Sequence, residues 1–272
     1  MRVFFIVCNY NAQRNGSLLD AMECLSKTKD ENTTILLWDN ASSDDSLGIL
    51  RKFHNSGVID HLVLAGKNVG KPYALDYLAK FTKDAYGCEN DDIFVSMDSD
   101  ICIKNTDFVK ELVAVFSKSR RVGFVGYEYC DDEKLTHVSK YNKLVEGRHV
   151  FRSREIDICG VKYSPLCNFG GLLAGGLIAV RCGMFFNVGG YRLDTVNGGK
   201  PPIYGNDDAT IETALWNGYR DRFMFLFDSR KQILHRNDTD EGYSKWKSDV
   251  LQKFVKEPFA GNTRIPSKGY YD

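Results

Sequence analysis

The sequence lacks most features that mark a protein built around a metal ribbon, a membrane or a charged polymer. Its eight cysteines include no Cys-x-x-Cys pair, which excludes a zinc ribbon. Several, such as Cys8 and Cys102, fall inside apolar runs, where a thiol behaves as a small hydrophobe. Free thiols and a reducing compartment are expected. Net charge is also missing: Lys+Arg and Asp+Glu both number 36, so nothing global points to a histone-like partner, an acidic tail or disorder. Long apolar runs are absent. Val3 to Cys8 is too short for a signal-peptide core and has no small-residue cleavage site. Phe169 to Val180 holds four glycines and falls well short of the ~20 residues that span a bilayer. The expected location is the cytoplasm, with any membrane contact peripheral. Two nucleotide fingerprints are missing as well. Gly66 to Lys71 is one residue short of a P-loop and puts Pro72 where a hydroxyl must meet magnesium, and there is no Gly-x-Gly-x-x-Gly.

What is present is alternation. At 272 residues, with 43% hydrophobic and 26% charged, the chain can form one large α/β domain or two closely packed lobes. Strands are expected at Val3 to Cys8, Thr34 to Trp38, His61 to Leu64 and Ile93 onward. Helices are expected between them, from Leu18 to Lys27, Leu47 to His54 and Pro72 to Lys83. Such alternation signals a parallel, right-handed α/β sheet, and each strand ends in polar residues. The fourth strand ends in Asp98-Ser99-Asp100. Ligands of open α/β sheets bind at this carboxyl edge, and paired carboxylates offer hard oxygens to a divalent cation that can hold a diphosphate. A polar turn after a core strand would look the same, so the surroundings must decide.

Beyond a helix from Asp107 to Ser117 and a strand Val122 to Val125, residues 127–168 read as polar and irregular. Lys134 to Arg154 contains six Lys or Arg against one acid, Glu146. That window is either a solvated face or a surface for a phosphate-bearing acceptor. A strand from Leu172 to Val180 precedes Gly189-Gly190-Tyr191. Asp207 and Asp208 then open a helix ending at Gly218, where the dipole alone would favour acids. Strands Phe223 to Phe227 and Gln232 to Leu234 follow, and His235 ends the second.

Taken together, Trp38-Asp39-Asn40-Ala41-Ser42-Ser43-Asp44, Asn68-Val69-Gly70-Lys71 with Ala74, Asp98-Ser99-Asp100, Gly189-Gly190-Tyr191, Asn206-Asp207 before Gly218-Tyr219-Arg220, and His235 resemble the family 2 glycosyltransferases of GT-A fold. The resemblance runs from Val3 to about His235. It implies a Rossmann-like, mostly parallel sheet flanked by helices, with a smaller mixed sheet on the acceptor side. Residues 1–126 would bind the donor, 127–235 would bind the acceptor and carry catalysis, and 236–272 would pack on the site, all within one continuous domain.

The resemblance also implies a nucleotide-diphospho-sugar donor, foremost a UDP-sugar, and Mn²⁺ or Mg²⁺. Asp39 matches the acid that bonds the nucleobase. Asn9, Asn68, Lys71, Asp98 and Ser99 would line the nucleotide, with Lys71 able to neutralise a phosphate. Asp100, Asp98 and His235 match the metal positions, and an imidazole suits Mn²⁺ better than Mg²⁺. Asp207 aligns with the catalytic base, yet Asn206 and Ala209 replace acids common in the family, which leaves Asp207 and Asp208 both open for that role. No Gln-x-x-Arg-Trp occurs, so one sugar per encounter is expected. The acceptor would be a glycan, a lipid-linked saccharide or a hydroxylated base in DNA. Two competitors remain: a non-catalytic nucleotide-sugar binding module, and a sugar-nucleotide pyrophosphorylase, which would need a glycine-rich, Arg-containing loop where Asn9 to Ser17 stands.

Overall fold

The computed structural model describes residues 1–139, 155–166, 173–191, 207–219 and 224–236, together with residues 242, 245, 246 and 249. The first strand, β1 (Val3–Asn9), is buried throughout. Its side chains alternate between two cores, as the pleat requires. Val3, Phe5 and Val7 join Leu18, Met22, Leu50 and Phe108 on one face. Phe4, Ile6 and Cys8 join Leu75, Leu78, Phe185 and Leu215 on the other. The helices behind the first core are α1 (Ser17–Thr28), α2 (Ser46–Asn55) and α4 (Phe108–Lys118). Those behind the second are α3 (Lys71–Tyr86), α5 (Cys182–Asn187) and α6 (Asp207–Tyr219). A strand covered on both faces reads as a continuous apolar run, which is why β1 was legible.

Around β1 run β2 (Thr33–Asp39), β3 (His61–Leu64) and β4 (Ile93–Asp98), and the order β3-β2-β1-β4 is parallel. The same sheet continues as a mixed half. β9 (Leu177–Arg181) lies antiparallel between β4 and β6 (Val122–Cys130). β10 (Met224–His235) runs parallel to β6 and antiparallel to β8 (Val161–Leu166), which carries β7 (Ile156–Ile158) at the edge. The short β5 (Ile101–Ile103) pairs antiparallel with the end of β10.

Several features differ from the expected elements. The strand expected from Leu172 begins only at Leu177, because residues 173–176 form a bend and turn. The two strands expected at 223–234 are one strand, β10, with a bulge between Asp228 and Ile233 in which Lys231 takes φ 55°. Bulges insert unpaired residues without ending a strand, so polar Asp228 to Lys231 resembled a loop. Within the region read as irregular, β6 continues to Cys130, and β7 and β8 form a hairpin. Its turn places Cys159 at φ 56° and Gly160 at φ 80°, with the Gly160 N–H donating to Asp157 Oδ1 at 2.9 Å. Hairpin turns need two such residues, and a cysteine in the first position hid the signal. Among the described residues no helix is long and apolar enough to cross a membrane, and the described cysteines are free thiols.

Candidate active site at the carboxyl edge of the sheet

Parallel register sets the first half of the site. Asn9 pairs with Asp39 and Cys8 with Asp98 across β2-β1-β4, so three strand ends open onto one edge. Asn9 and Asp39 are buried. Asn9 Nδ2 donates to Asp39 Oδ1 at 2.7 Å, the Ser42 hydroxyl donates to the same oxygen at 2.6 Å, and the Ser42 N–H donates to Oδ2 at 2.9 Å. The carboxylate is thereby fixed in one orientation. Next to it, Asn40 Nδ2 donates to Asn68 Oδ1 at 2.7 Å, while Asn40 Oδ1 accepts from the Val69 N–H at 2.8 Å. Asn68 Oδ1 also accepts the Gly70 N–H at 2.9 Å. Two side-chain amides thus shape the turn that leads into α3. Asn11 (φ 54°) does the same ahead of α2, its Oδ1 accepting from Ser43 and Asp44 N–H at 2.6 and 3.1 Å.

Lys71 is the first residue of α3. Its ammonium lies 2.7 Å from Asp98 Oδ1 and 3.5 Å from the Gly175 carbonyl. Asp98 ends β4, and its N–H donates to the Gly176 carbonyl at 2.7 Å. Ser99 and Asp100 form the buried turn that follows. The turn sends the chain into β5, whose antiparallel register sets Ile101 opposite His235. His235 Nε2 consequently stands 3.5 Å from Asp100 Oδ1, with both side chains almost fully buried. Backbone pairing thus unites residues 135 positions apart in sequence, and the Arg236 N–H donating to the Asp100 carbonyl at 3.0 Å locks the junction.

Tyr129 closes the floor. Its hydroxyl accepts from the Leu177 N–H at 2.5 Å and donates to the Ala174 carbonyl at 2.6 Å, and its ring lies 5.6 Å from that of His235. A Cβ on Gly176 would come within 3.1 Å of this hydroxyl, so glycine there permits the close approach. Gly190 has a comparable reason: φ is +66°, and a Cβ would meet Asp76 Oδ1 at 3.1 Å. Burial raises the Asp76 carboxyl above its usual range, with Lys80 and the Tyr191 N–H pulling the other way. That bond joins α3 to the Gly189-Gly190-Tyr191 turn.

A further contact comes from the C-terminal segment. Trp246 stacks on Tyr10 with ring centroids 6.0 Å apart, and the Arg14 guanidinium sits 4.7 Å above the indole. Arg236 pairs with Asp20 at 2.9 Å.

The structure therefore gathers Asn9, Asp39, Asn68, Lys71, Asp98, Ser99, Asp100 and His235 along one edge. Asp207 and Asp208 occupy the first turn of α6. Asn206 and residues 140–154 of the basic window lie outside the described residues. Sequence reasoning gave no role to Ser42, Asn40 or Tyr129. The two small polar residues stood inside a cluster that already looked like a helix cap, and Tyr129 had no local signal.

An oxygen and an imidazole nitrogen meet in the Asp100–His235 pair, a donor set that suits a transition-metal dication. Asp98 faces Lys71 instead, and among the described residues no group of three or more His, Cys, Asp or Glu could hold a metal. Two protein ligands leave room for oxygens brought by a phosphate.

A family description, glycosyl transferase family 2, matches residues 4–168. No curated protein matches the chain. Among solved structures the chain is similar to the mannosyltransferase PcManGT from Pyrobaculum calidifontis in complex with GDP-Man and Mn²⁺. That likeness has TM-score 0.60 and 17% identity, covering 96% of this chain and 65% of that one. It is similar to S. aureus TarS 1-349, with TM-score 0.53 and 13% identity, covering 84% and 60%. It is also similar to GalNAc-T7 with UDP, GalNAc and Mn²⁺, with TM-score 0.58 and 15% identity, covering 86% and 44%. The chain thus spans less than two thirds of each of these three. At such identities the likeness is one of fold, the GT-A fold.

Proposed function

The chain belongs to glycosyl transferase family 2, and on that premise we propose that it is a glycosyltransferase that moves one sugar from a nucleotide-diphospho-sugar to an acceptor hydroxyl with inversion. The observation that carries this reading is the convergence of Asn9, Asp39, Asp98 and Asp100 at one sheet edge, with His235 brought to Asp100 by the register of β5 on β10. Asp39, held by Asn9 and Ser42, accepts a base N–H, which both uracil and guanine offer. Asn40 and Asn68 shape the wall beside it. Asp100 and His235 hold a divalent cation, Mn²⁺ by preference, and Asp98 belongs to the same edge. When bound, the cation offsets the negative charge that gathers on the departing diphosphate.

Transfer then forms a bond from the acceptor oxygen to the anomeric carbon as the bond from that carbon to phosphate oxygen breaks. The hydroxyl proton passes to the Asp207 carboxylate, with Asp208 as the alternative base, and the nucleoside diphosphate leaves. A base so placed contributes on the order of 10² to 10⁴ in rate. Residues 1–126 serve the donor, 127–235 the acceptor and catalysis, and 236–272 cover the site. The acceptor is a glycan or lipid-linked saccharide, and the compartment is the cytoplasm.

The test is incubation with a panel of UDP- and GDP-sugars and Mn²⁺, followed by product analysis. Slow donor hydrolysis that falls by two orders of magnitude or more in Asp207→Asn, with donor affinity kept, supports the reading. Loss in Asp208→Asn instead moves the base by one residue. Binding without turnover for every donor and acceptor would leave only a binding module.

A further inference from the structure

Helix α1 meets the Asp100–His235 junction along one side of its surface. Asp20 and Cys24 lie one helical turn apart and so project from the same side. Asp20 pairs with Arg236 at 2.9 Å, and the Arg236 N–H donates to the Asp100 carbonyl at 3.0 Å. One turn further along, the Cys24 and Cys102 thiols are hydrogen-bonded to each other. Cys102 is the middle residue of β5, set opposite Leu234 in the register that places Ile101 opposite His235. The two thiols are unequal, since Cys102 is buried and Cys24 is partly exposed. The hydrogen bond from Cys102 pulls the Cys24 thiol below its usual range, and the charges of Lys104 and Lys27 add to it, against burial and Asp20. A thiol in such surroundings carries more thiolate, the form that an oxidant attacks. A second hydrogen-bonded pair, Cys88 with Cys182, lies by the start of β4, where the Cys182 N–H donates to the Asp92 carbonyl at 2.8 Å.

We propose that Cys24 and Cys102 form an oxidation site that closes to a disulfide and thereby weakens cation binding at Asp100 and His235. Hydrogen peroxide supplies the oxidant. The Cys24 thiolate attacks one peroxide oxygen, the O–O bond breaks, and a sulfenic acid forms as hydroxide leaves and recovers the proton that Cys24 gave up. The Cys102 sulfur then attacks the Cys24 sulfur. The S–S bond forms as the S–O bond breaks, and the departing hydroxide takes the Cys102 proton to leave as water. Both thiols are oxidised to one disulfide, and the peroxide is reduced to water. The effect on the site is mechanical. A disulfide sets its sulfurs about 2.05 Å apart, closer than hydrogen-bonded thiols approach. Helix α1 is held by Leu18, Met22 and Leu25 in the first core, whereas β5 is only three residues long and follows directly on the Ser99-Asp100 turn. The shorter element yields, and its displacement reaches Asp100 along the chain and His235 across the ladder. The effect on cation binding rests on reading that pair as the cation site.

The experiment uses the full chain, alongside Cys24→Ser and a Cys88→Ser variant that removes the second thiol pair. Each protein is treated with hydrogen peroxide, mapped by mass spectrometry of unreduced peptides, and titrated with Mn²⁺ by electron paramagnetic resonance before and after treatment. The parent and Cys88→Ser should both yield peptides linked through Cys24 and Cys102. Their Mn²⁺ affinity should fall by about tenfold, the size of change that disturbing a supporting residue gives a metal site, and dithiothreitol should restore it. Cys24→Ser should show neither the link nor the loss. Peroxide that leaves Cys24 a thiol, or carries it to a sulfinic acid without the link, overturns the oxidation site. The link with unchanged affinity, or an equal loss in Cys24→Ser, overturns its hold on the cation pair. A reduced parent that binds no Mn²⁺ refutes the cation reading and the control built on it, while the linked peptide, mapped without metal, still decides the oxidation site by itself.

Discussion

Two sets of carboxylates in this molecule are built in opposite ways. Asp92 and Asp228 belong to the framework. Asp92 accepts from the Arg2 N–H and guanidinium and from the Glu89 N–H, at 2.7 to 3.1 Å, while the same arginine donates to the Tyr86 and Gly87 carbonyls at the end of α3. Asp228 is closed in by Arg230 and Gln232, and Arg230 reaches on to Glu111 at 2.6 Å. Every oxygen is committed to a protein donor. Asp98 and Asp100 lie where β4 ends, one facing an ammonium at 2.7 Å and the other an imidazole at 3.5 Å. Closed networks fix a chain, whereas carboxylates with exchangeable partners are suited to meet a ligand.

The contrast can be broken by substitution. The largest effect is expected at Asp100. Asp100→Ala should abolish Mn²⁺-dependent nucleotide binding in calorimetry, a loss of 10²-fold or more, while shifting unfolding stability by less than about 1 kcal/mol, as functional sites often allow. Unchanged affinity would remove the metal assignment. Asp228→Ala should do the reverse. Stripping the acid from a buried ion pair costs about 3–5 kcal/mol, read by urea denaturation, and the surviving folded protein should still bind nucleotide.

Asp92→Asn sharpens the comparison through pH. Burial alone would raise the Asp92 carboxyl, but the Arg2 and Glu89 N–H bonds and the Arg2 guanidinium outweigh it and hold the group below its usual range. A lowered folded-state value stabilises fully above the unfolded value of about 3.9 and is lost as pH falls through the folded-state value. Near pH 7 the variant should therefore be less stable by about 2 kcal/mol, and the two proteins should converge in acid. Parallel curves down to pH 3 would refute the account. The smallest effect belongs to Gly190→Ala. It meets both a left-handed φ and the Asp76 carboxylate, at a cost of about 1–2 kcal/mol, and a thermal midpoint equal to the parent's would show that the turn relaxes freely.

How much could be read in advance follows the same division. In the parallel half each strand is a short apolar run closed by polar residues, so Asn9, Asp39 and Asp98 were legible as strand ends, and parallel register did the rest. In the mixed half, partners are distant in sequence. Nothing local to Ile101-Cys102-Ile103 says that it will pair with Ile233 to His235, so His235 entered by resemblance and its geometry only by structure. Tyr129 was invisible for the same reason, since its hydroxyl bonds across to residues 174 and 177. Asp228 and Arg230, inside a bulge, looked like loop residues.

The stacking of Trp246 on Tyr10 places an indole directly after the end of β1. A second indole, Trp38, immediately precedes Asp39 and directs its N–H to Asn40 Oδ1 at 3.4 Å. Two of the chain's three tryptophans therefore sit beside the carboxyl edge of the sheet, in surroundings that an incoming aromatic base would alter. Quenching or a spectral shift of the intrinsic emission offers a label-free titration of that edge, and replacing Trp246 with phenylalanine would isolate its share of the signal.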